Sequence, residues 1–110
     1  MPTPRPGARV RGSTTGRPIM AALDLLSRRW ALRVLWELRG ASLTFRALRG
    51  VCDDVSPSVL NARLAELREV GIVENTPEGY ALTASGRSLM KALAPLQRWS
   101  TDWARSQQRS

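Results

Sequence analysis

The sequence contains no histidine and a single cysteine, Cys52. Without histidine, metal sites with imidazole ligands and catalytic Ser–His–Asp or Cys–His arrangements are excluded. One cysteine forms neither an internal disulfide nor a cysteine-based metal site. Because no Gly-rich phosphate loop is present either, nothing places a general base beside a nucleophile. The sequence therefore predicts a protein that is not an enzyme and that carries no cofactor.

Long apolar stretches are also missing. No run approaches the roughly 20 apolar residues that a membrane-spanning helix needs. The first 20 residues hold Arg, Pro and Gly instead of the apolar segment of a secretory signal. These two absences predict a cytoplasmic protein.

Lysine is scarce, and yet the chain is strongly basic. Of its 110 residues, 17 are Lys or Arg and only 9 are Asp or Glu, so the net charge is +8. The isoelectric point near 11.5 indicates a polyanionic partner, most simply a nucleic acid. Charge alone leaves a ribosome-type or merely basic protein open. Hydrophobic residues make up 43%, enough for one small domain but marginal for a lone monomer of this size.

The first 17 residues lack acidic side chains and are nearly free of apolar ones. Such a segment cannot bury enough surface to offset its ordering entropy, so we expect residues 1–17 to be a disordered basic arm. Residues 18–104 are predicted to form the folded domain, followed by a short basic tail over 105–110. The arginines of the arm are Arg5, Arg9, Arg11 and Arg17.

Apolar residues recur at helical spacing from Pro18 onward. Pro18 suits the first turn of a helix. Ser27 is predicted to cap a second helix over 28–39, and a short third helix should turn Phe45 and Leu48 inward. The clearest helix start follows, with Ser56 as N-cap and Pro57 in the first position. Its predicted buried row is Val59, Leu60, Leu64 and Leu67.

The remainder indicates a hairpin and a long last helix. Strands over 72–73 and 80–82 flank a tight turn at 76–79, and Leu43 can add a short strand. Thr83 is predicted to cap the last helix, in which Pro95 should cause a kink or a local break. The predicted fold is mainly α with a small two- or three-stranded antiparallel wing, a winged helix-turn-helix that dimerises through its terminal helices.

The fourth helix, about Ser56–Val70, is the candidate recognition helix. A helix of this width fits the DNA major groove, and its first turns meet the base edges. The residues predicted to face the bases are Ser56, Pro57, Ser58, Asn61 and Ala62. Ordinary structural interpretations stay open as well. Ser56 with Pro57 could simply start a helix, and Asn61 could be a solvated amide. Neighbouring Arg63 could pair with Glu66 or Glu37.

Three segments resemble the signature of HxlR-type bacterial transcription regulators. Residues 27–35 (SRRWALRVL) resemble the family's Gly-Gly-Lys-Trp-x-Leu-x-Ile-Leu, and residues 44–48 (TFRAL) its Arg-Phe-x-x-Leu. Residues 55–67 (VSPSVLNARLAEL) are similar to its Ile-Ser-x-x-x-Leu-Thr-x-Arg-Leu-x-x-Leu. MarR-type regulators share the Leu-Thr-x-x-Gly element at the end of the wing, but Trp30 together with Trp99 favours the HxlR type.

The resemblance implies a homodimer in which the first and last helices form the interface. An apolar terminal helix with two tryptophans independently requires a cover, although Trp99 and Trp103 could instead fold back onto their own core. The predicted interface residues are Ile19, Met20, Leu23, Leu89, Leu93, Leu96, Trp99 and Trp103.

Other family features are altered in this chain. Residues 16–18 (GRP) stand where many members carry a redox-sensing cysteine, and Cys52 is interpreted as an incidental thiol. The wing carries Glu74 and Glu78 but no basic residue, so we expect the N-terminal arm rather than the wing to reach the minor groove. The candidate phosphate contacts are Arg29, Arg46, Arg49, Arg63 and Thr44.

The sequence thus predicts a dimeric regulator whose partner is a specific double-stranded DNA. Two alternatives stay open: a basic protein that binds nucleic acid without sequence preference, and a winged-helix dimer used only for protein contacts. A small planar effector in an apolar cleft near the interface is a further hypothesis, against the simpler interpretation that the same side chains only fill the core. The side chains considered for that cleft are Trp30, Trp36, Met90, Trp99 and Trp103.

Overall fold

The computed structural model describes residues 3–6 and 17–109. Helices dominate this part of the chain, and one antiparallel hairpin interrupts them, which confirms the predicted fold class. In chain order the elements are α1 (Pro18–Leu26), α2 (Ala31–Glu37), α3 (Phe45–Val51), α4 (Pro57–Glu69), β1 (Val73–Thr76), β2 (Gly79–Leu82) and α5 (Ala84–Arg109).

Local capping explains where α3 and α4 begin. The Thr44 hydroxyl accepts a hydrogen bond from the backbone N–H of Ala47 at 3.1 Å. The Ser56 hydroxyl accepts one from the N–H of Val59 at 3.2 Å, and Pro57 fills the first position of α4. Both side chains satisfy an N–H that has no partner inside its helix. The prediction of Ser56 as N-cap is confirmed.

The predicted start of the second helix is wrong. Ser27 closes α1 instead, because its hydroxyl donates to the carbonyl of Asp24 at 2.9 Å. Helix α2 begins only at Ala31, after Trp30 has adopted a left-handed conformation with φ of 73°. A left-handed tryptophan is rare, and it shortens the predicted span of 28–39 at its N-terminal end.

The core lies between the first four helices and the hairpin. Leu60, Leu64 and Leu67 of α4 are buried as predicted, whereas Val59 is only partly covered. Burying each such side chain contributes about 1.5–3 kcal/mol. The buried cluster comprises Leu25, Val34, Leu35, Leu38, Leu48, Cys52, Val55, Leu60, Leu64, Leu67, Val73 and Leu82.

The wing is a two-stranded sheet with a short third addition. Strands β1 and β2 pair antiparallel, with Val73 opposite Leu82 and Thr76 opposite Gly79. Leu43 extends the sheet, since it exchanges two backbone hydrogen bonds of 2.9 and 2.8 Å with Tyr80. At Gly79 (φ 123°) a Cβ would lie 2.5 Å from the Leu43 carbonyl oxygen, so only glycine fits there.

Thr83 caps helix α5 as predicted, because its hydroxyl accepts a hydrogen bond from the N–H of Gly86 at 3.1 Å. Gly86 is buried, and a Cβ on it would come within 2.3 Å of the Ile72 carbonyl oxygen. This close approach fixes the start of α5 against the base of the wing. The helix then continues through Pro95 rather than breaking there.

Candidate nucleic-acid interface

The N-terminal end of α4 presents a polar surface to solvent. Its buried row faces inward, so the opposite side is open, and no acidic residue lies in its first turn. The partial positive charge of this helix end is therefore available to an anion. All five residues predicted to face the bases are exposed: Ser56, Pro57, Ser58, Asn61 and Ala62.

Helix α3 lines the same side of the molecule. Arg46, Arg49 and Pro57 are among the residues around a surface groove of about 480 Å³ between α3 and α4. Arg46 is exposed and has no hydrogen-bond or ion-pair partner among residues 3–6 and 17–109. Arg29, before α2, is equally open. These two guanidinium groups are free to contact a phosphate.

Other predicted phosphate contacts already have structural roles. The Nε of Arg49 donates to the Val55 carbonyl at 2.7 Å and so closes the turn between α3 and α4. Thr44 caps α3. Arg63 is half-buried, and its Nη1 lies 3.2 Å from Oε1 of Glu66. The pairing of Arg63 with Glu66, weighed as the alternative interpretation, is the arrangement found.

A buried ion network beneath α4 was not predicted. Arg28, in the connection between α1 and α2, forms an ion pair with Glu66 of α4 and lies 3.7 Å from Asp24 of α1. The side chains of Arg28 and Asp24 are only 8% and 5% exposed. Together with Arg63, these residues connect α1 to α4 through buried charges. The sequence signal was an arginine four residues after an aspartate, which alone does not point to α4.

Arg33 makes a second unpredicted connection, from α2 to the turn between α3 and α4. Its Nε donates to Glu37 at 2.7 Å and its Nη2 to the Val51 carbonyl at 2.6 Å, while Asp53 lies at 3.4 Å. The hydrogen bond to Glu37 is the main cause that raises the pKa of Arg33 above its usual range. Asp53 and Asp54 both have positive φ, near 57° and 55°, a conformation that aspartate tolerates better than most residues.

Cys52 is completely buried at the end of α3. Burial raises the pKa of its thiol, Arg33 opposes that shift, and Glu37 and Asp53 add to it. A buried, protonated thiol is a poor nucleophile, so the geometry agrees with the interpretation of Cys52 as an incidental core residue.

Part of the N-terminal arm contacts the far end of α4. Arg5 forms an ion pair with Glu69 at 2.5 Å, although both side chains are about half exposed. Hydrogen bonds from Thr3 and then from Arg5 lower the pKa of Glu69 below its usual range. Arg17 is exposed immediately before α1, whereas the predicted contacts Arg9 and Arg11 lie outside the described residues.

The outer stripe of α5 remains uncovered. Leu96, Trp99 and Trp103 are each more than half exposed, and the two indoles stack with their centroids 5.4 Å apart. The alternative that Trp99 and Trp103 fold back onto their own core is therefore wrong. Ile19 and Leu23 of α1 are similarly exposed, whereas Met20, Leu89 and Leu93 are partly covered.

An apolar groove does exist, but with other walls than predicted. It measures about 650 Å³ and lies between α2 and α5. Trp36 and Met90 line it as expected, whereas Trp30, Trp99 and Trp103 do not. Trp30 packs against the core instead, and Trp99 and Trp103 are exposed on α5.

A sequence model of the HxlR-like helix-turn-helix matches residues 25–108, which is most of the chain. The chain belongs to this family. Among its relatives is the HTH-type transcriptional regulator YvaP of Bacillus subtilis, 33% identical over an alignment of 89 positions that covers 74% of this chain and 82% of YvaP. The resemblance identified in the motifs of the sequence is confirmed.

Two solved structures share the fold of this chain. Quinone-bound YodB from Bacillus subtilis superposes with a TM-score of 0.71 at 27% identity, over 76% of this chain and 96% of YodB. A possible HxlR family transcriptional factor from Thermoplasma volcanium gives a TM-score of 0.67 at 26% identity, over 76% and 82% of the two chains. The protein is a DNA-binding transcription regulator of the winged helix-turn-helix type rather than an enzyme. Within the described residues, no helix is both long and apolar enough to cross a membrane.

Proposed function

We propose that this HxlR-like regulator acts in the cytoplasm as a homodimer that binds a pseudo-palindromic operator, with α4 of each protomer in the major groove. The observation that carries the proposal is the division of α4 into two sides. Leu60, Leu64 and Leu67 anchor it, whereas small and polar residues are exposed at its N-terminal end. Two such helices related by a two-fold axis would read half-sites about 34 Å apart, or a multiple of that spacing.

Within α4, Asn61 is the strongest candidate for a direct base contact. Its amide is exposed one turn into the helix and offers a donor and an acceptor together, the pattern that adenine complements in the major groove. Ser56 and Ser58 can add single hydrogen bonds. Pro57 and Ala62 provide apolar surface of the kind that contacts a thymine methyl group.

Phosphate contacts would fix the register of α4 on the duplex. Arg29 and Arg46 are the best placed because their guanidinium groups are exposed and unpaired within the described part of the chain. The other candidates, Arg49, Arg63 and Thr44, already use donors or acceptors within the fold. They would have to contact phosphate through their remaining hydrogen-bond donors. The wing contributes little, since both of its exposed charges, Glu74 and Glu78, repel phosphate.

The terminal helices supply the dimer contact in this proposal. The exposed stripe of Leu96, Trp99 and Trp103 and the exposed face of Ile19 and Leu23 are apolar surfaces of the kind that mark an interface. Large aromatic side chains dominate the energetics of such contacts. Dimerisation would bury the two surfaces and pair the two copies of α4.

A small planar effector completes the proposed function. Support comes from two observations: YodB, with which this chain shares its fold, was solved with a quinone bound, and an apolar groove lies between α2 and α5.

The test is a selection of operators from random duplexes, followed by fluorescence anisotropy against a scrambled duplex at two salt concentrations. A specific regulator should prefer its operator by roughly a factor of 1,000 or more. Nearly equal, steeply salt-dependent binding to both duplexes would instead identify a non-specific nucleic-acid protein.

The Asn61→Ala variant tests the placement of α4. We expect it to cost about 1–3 kcal/mol on the selected operator and to relax preference at one base pair of each half-site. Gln108→Ala, which removes an exposed amide near the end of α5, is the matched control and should bind like the parent. If Asn61→Ala keeps the base preference of the parent, Asn61 does not contact a base.

A further inference from the structure

We propose that the groove between α2 and α5 binds a small apolar molecule that carries one anionic group. The proposal names the chemistry of the effector, and it rests on the proposed function for the claim that such a ligand regulates DNA binding. Its test is made without DNA, so that failure of the site and failure of operator binding are distinguishable.

The walls of the groove are apolar on both sides. Helix α2 contributes Leu32 and Trp36, and α5 contributes Met90, Leu93 and Leu96. The volume of about 650 Å³ lies in the range of about 300–1,000 Å³ that is usual for small-molecule sites. Leu32 and Leu96 remain 43% and 53% exposed in the empty groove, so covering them with an apolar body is favourable.

One cation, Arg39, stands at the α2 side of the groove. Its guanidinium carbon lies 3.6 Å from the centroid of the Trp36 ring, and its Nη1 donates to the Trp36 carbonyl at 2.8 Å. These two contacts hold the guanidinium in one orientation. Its other N–H donors have no acceptor among residues 3–6 and 17–109.

Charge complementarity selects an anion for this site. No acidic residue is among those that line the groove. The hydroxyls of Ser100 and Thr101 already donate to the Gln97 carbonyl within α5. A carboxylate or sulfonate would therefore meet an oriented, unopposed guanidinium, the arrangement that gives strong charge-assisted hydrogen bonds.

The groove and the tryptophan stripe lie on adjoining sides of α5 and meet at Leu96, which belongs to both. Trp99 follows Met90 by nine residues, which at 3.6 residues per turn places it about half a turn around the helix from the Met90 wall. A second copy seated on the tryptophans would cover Leu96 and leave Trp36 and Arg39, on the α2 side of the groove, accessible. An apolar protein surface pressed into the groove would also bury the Arg39 charge without a partner, which is costly.

An occupant of this groove would bear directly on the support of α4. Val34 and Leu35, on the inner side of α2, belong to the same buried cluster as Leu60 and Leu64 of α4. The outer side of that short helix forms the groove wall. A ligand that shifts α2 would thus also move the buried residues against which α4 packs.

The experiment titrates the protein with anilinonaphthalene sulfonate and with phenylnaphthylamine, which has the same rings without the sulfonate. Arg39→Gln should weaken binding of the sulfonate about tenfold or more and change binding of the neutral probe less than about twofold. Arg98→Gln removes the same charge from an exposed position of α5 outside the groove, and should leave both probes within about twofold. Equal losses in the two variants would mean that only the overall charge of the protein attracts the sulfonate, which overturns the proposal.

A second pair of variants locates the probes. Ala94→Phe fills the groove, whereas Ala104→Phe adds the same ring at an exposed position of α5 beyond it. We expect the first to abolish binding of both probes and the second to leave it intact. Binding that survives Ala94→Phe would show that the groove is not a ligand site. A wild-type dimer that binds neither probe, and that dissociates when Arg39 or Ala94 is changed, would show that a second copy occupies the groove instead of a ligand.

Discussion

Helices α4 and α5 are both open to solvent along one side, but they are stabilised in opposite ways. Helix α4 is anchored to the core by three buried leucines and by the ion pair of Glu66 with Arg28, and its exposed side is polar. The second half of α5 extends with Leu96, Trp99 and Trp103 exposed. In the proposed function, the polar side of α4 is already fixed when it meets DNA, whereas the apolar side of α5 is covered only when a second copy binds.

The largest expected effect comes from placing a charge on the open stripe of α5. Trp99→Asp would put a carboxylate in the proposed interface of both protomers, and since each copy loses a central aromatic contact, we expect the dimer to weaken by about 4 kcal/mol or more. Sedimentation equilibrium measures the change. Ala104→Asp, also on an exposed position of α5, should leave the oligomeric state unchanged. A protein that stays dimeric after Trp99→Asp would place the interface elsewhere.

The next effect concerns the buried support of α4. Glu66→Ala removes the carboxylate that faces Arg28 and Arg63. Because Asp24 still lies 3.7 Å from Arg28, we expect the free energy of unfolding to fall by about 2–3 kcal/mol, less than the cost of about 3–5 kcal/mol for a buried ion left with no partner. Urea denaturation gives the free energy of unfolding. Glu69→Ala removes the same group from an exposed site three residues on, and its midpoint should barely move. Equal midpoints for the two variants would mean that the network contributes nothing to stability.

A smaller loss is expected at the start of α4. Ser56→Ala removes the hydroxyl that accepts from the Val59 N–H, so the free energy of unfolding should fall by about 1 kcal/mol. Ser58 is equally exposed but caps no backbone N–H of the described structure. Ser58→Ala is therefore the control, and thermal unfolding compares the two. If both serines cost the same, the cap is not formed.

The smallest effect is the pH dependence of the arm contact at the far end of α4. Because Thr3 and Arg5 lower the pKa of Glu69, the contact is fully present above the ordinary glutamate pKa and is lost as pH falls through the lowered value. In Arg5→Ala the carboxyl of Glu69 should titrate closer to its ordinary value, as followed by carbon NMR. An unchanged titration would show that Arg5 does not contact Glu69 in solution.

Local sequence signals predicted most of the elements. Ser56 with Pro57, the leucine row of α4 and Thr83 before α5 all act within one or two turns of the chain, so a single sequence contains what decides them. The exposed side of α4 followed from the same row, because leucines at helical spacing determine which residues face outward.

Two kinds of feature escaped the sequence: the choice between two local structures at Ser27, and contacts that depend on distant partners. Ser27 has the right side chain for an N-cap, but the Asp24 carbonyl takes its hydroxyl, and Trp30 turns left-handed instead. The roles of Arg28, Arg33 and Arg49 depend on acceptors that the fold brings near from other elements. In a chain with so many arginines, the sequence does not distinguish arginines that pair within the fold from arginines that stay available for a phosphate. Only the packing separates the two groups.

The complete burial of Cys52 makes the protein ready for distance measurements by spin labelling. A thiol reagent should not reach this cysteine in the native state, so no background cysteine needs to be removed. A cysteine introduced at exposed Ala65, on α4, would then carry the one label of each protomer. In the proposed dimer, the dipolar coupling between two such labels, measured by electron paramagnetic resonance, would report the separation of the two copies of α4, with and without DNA.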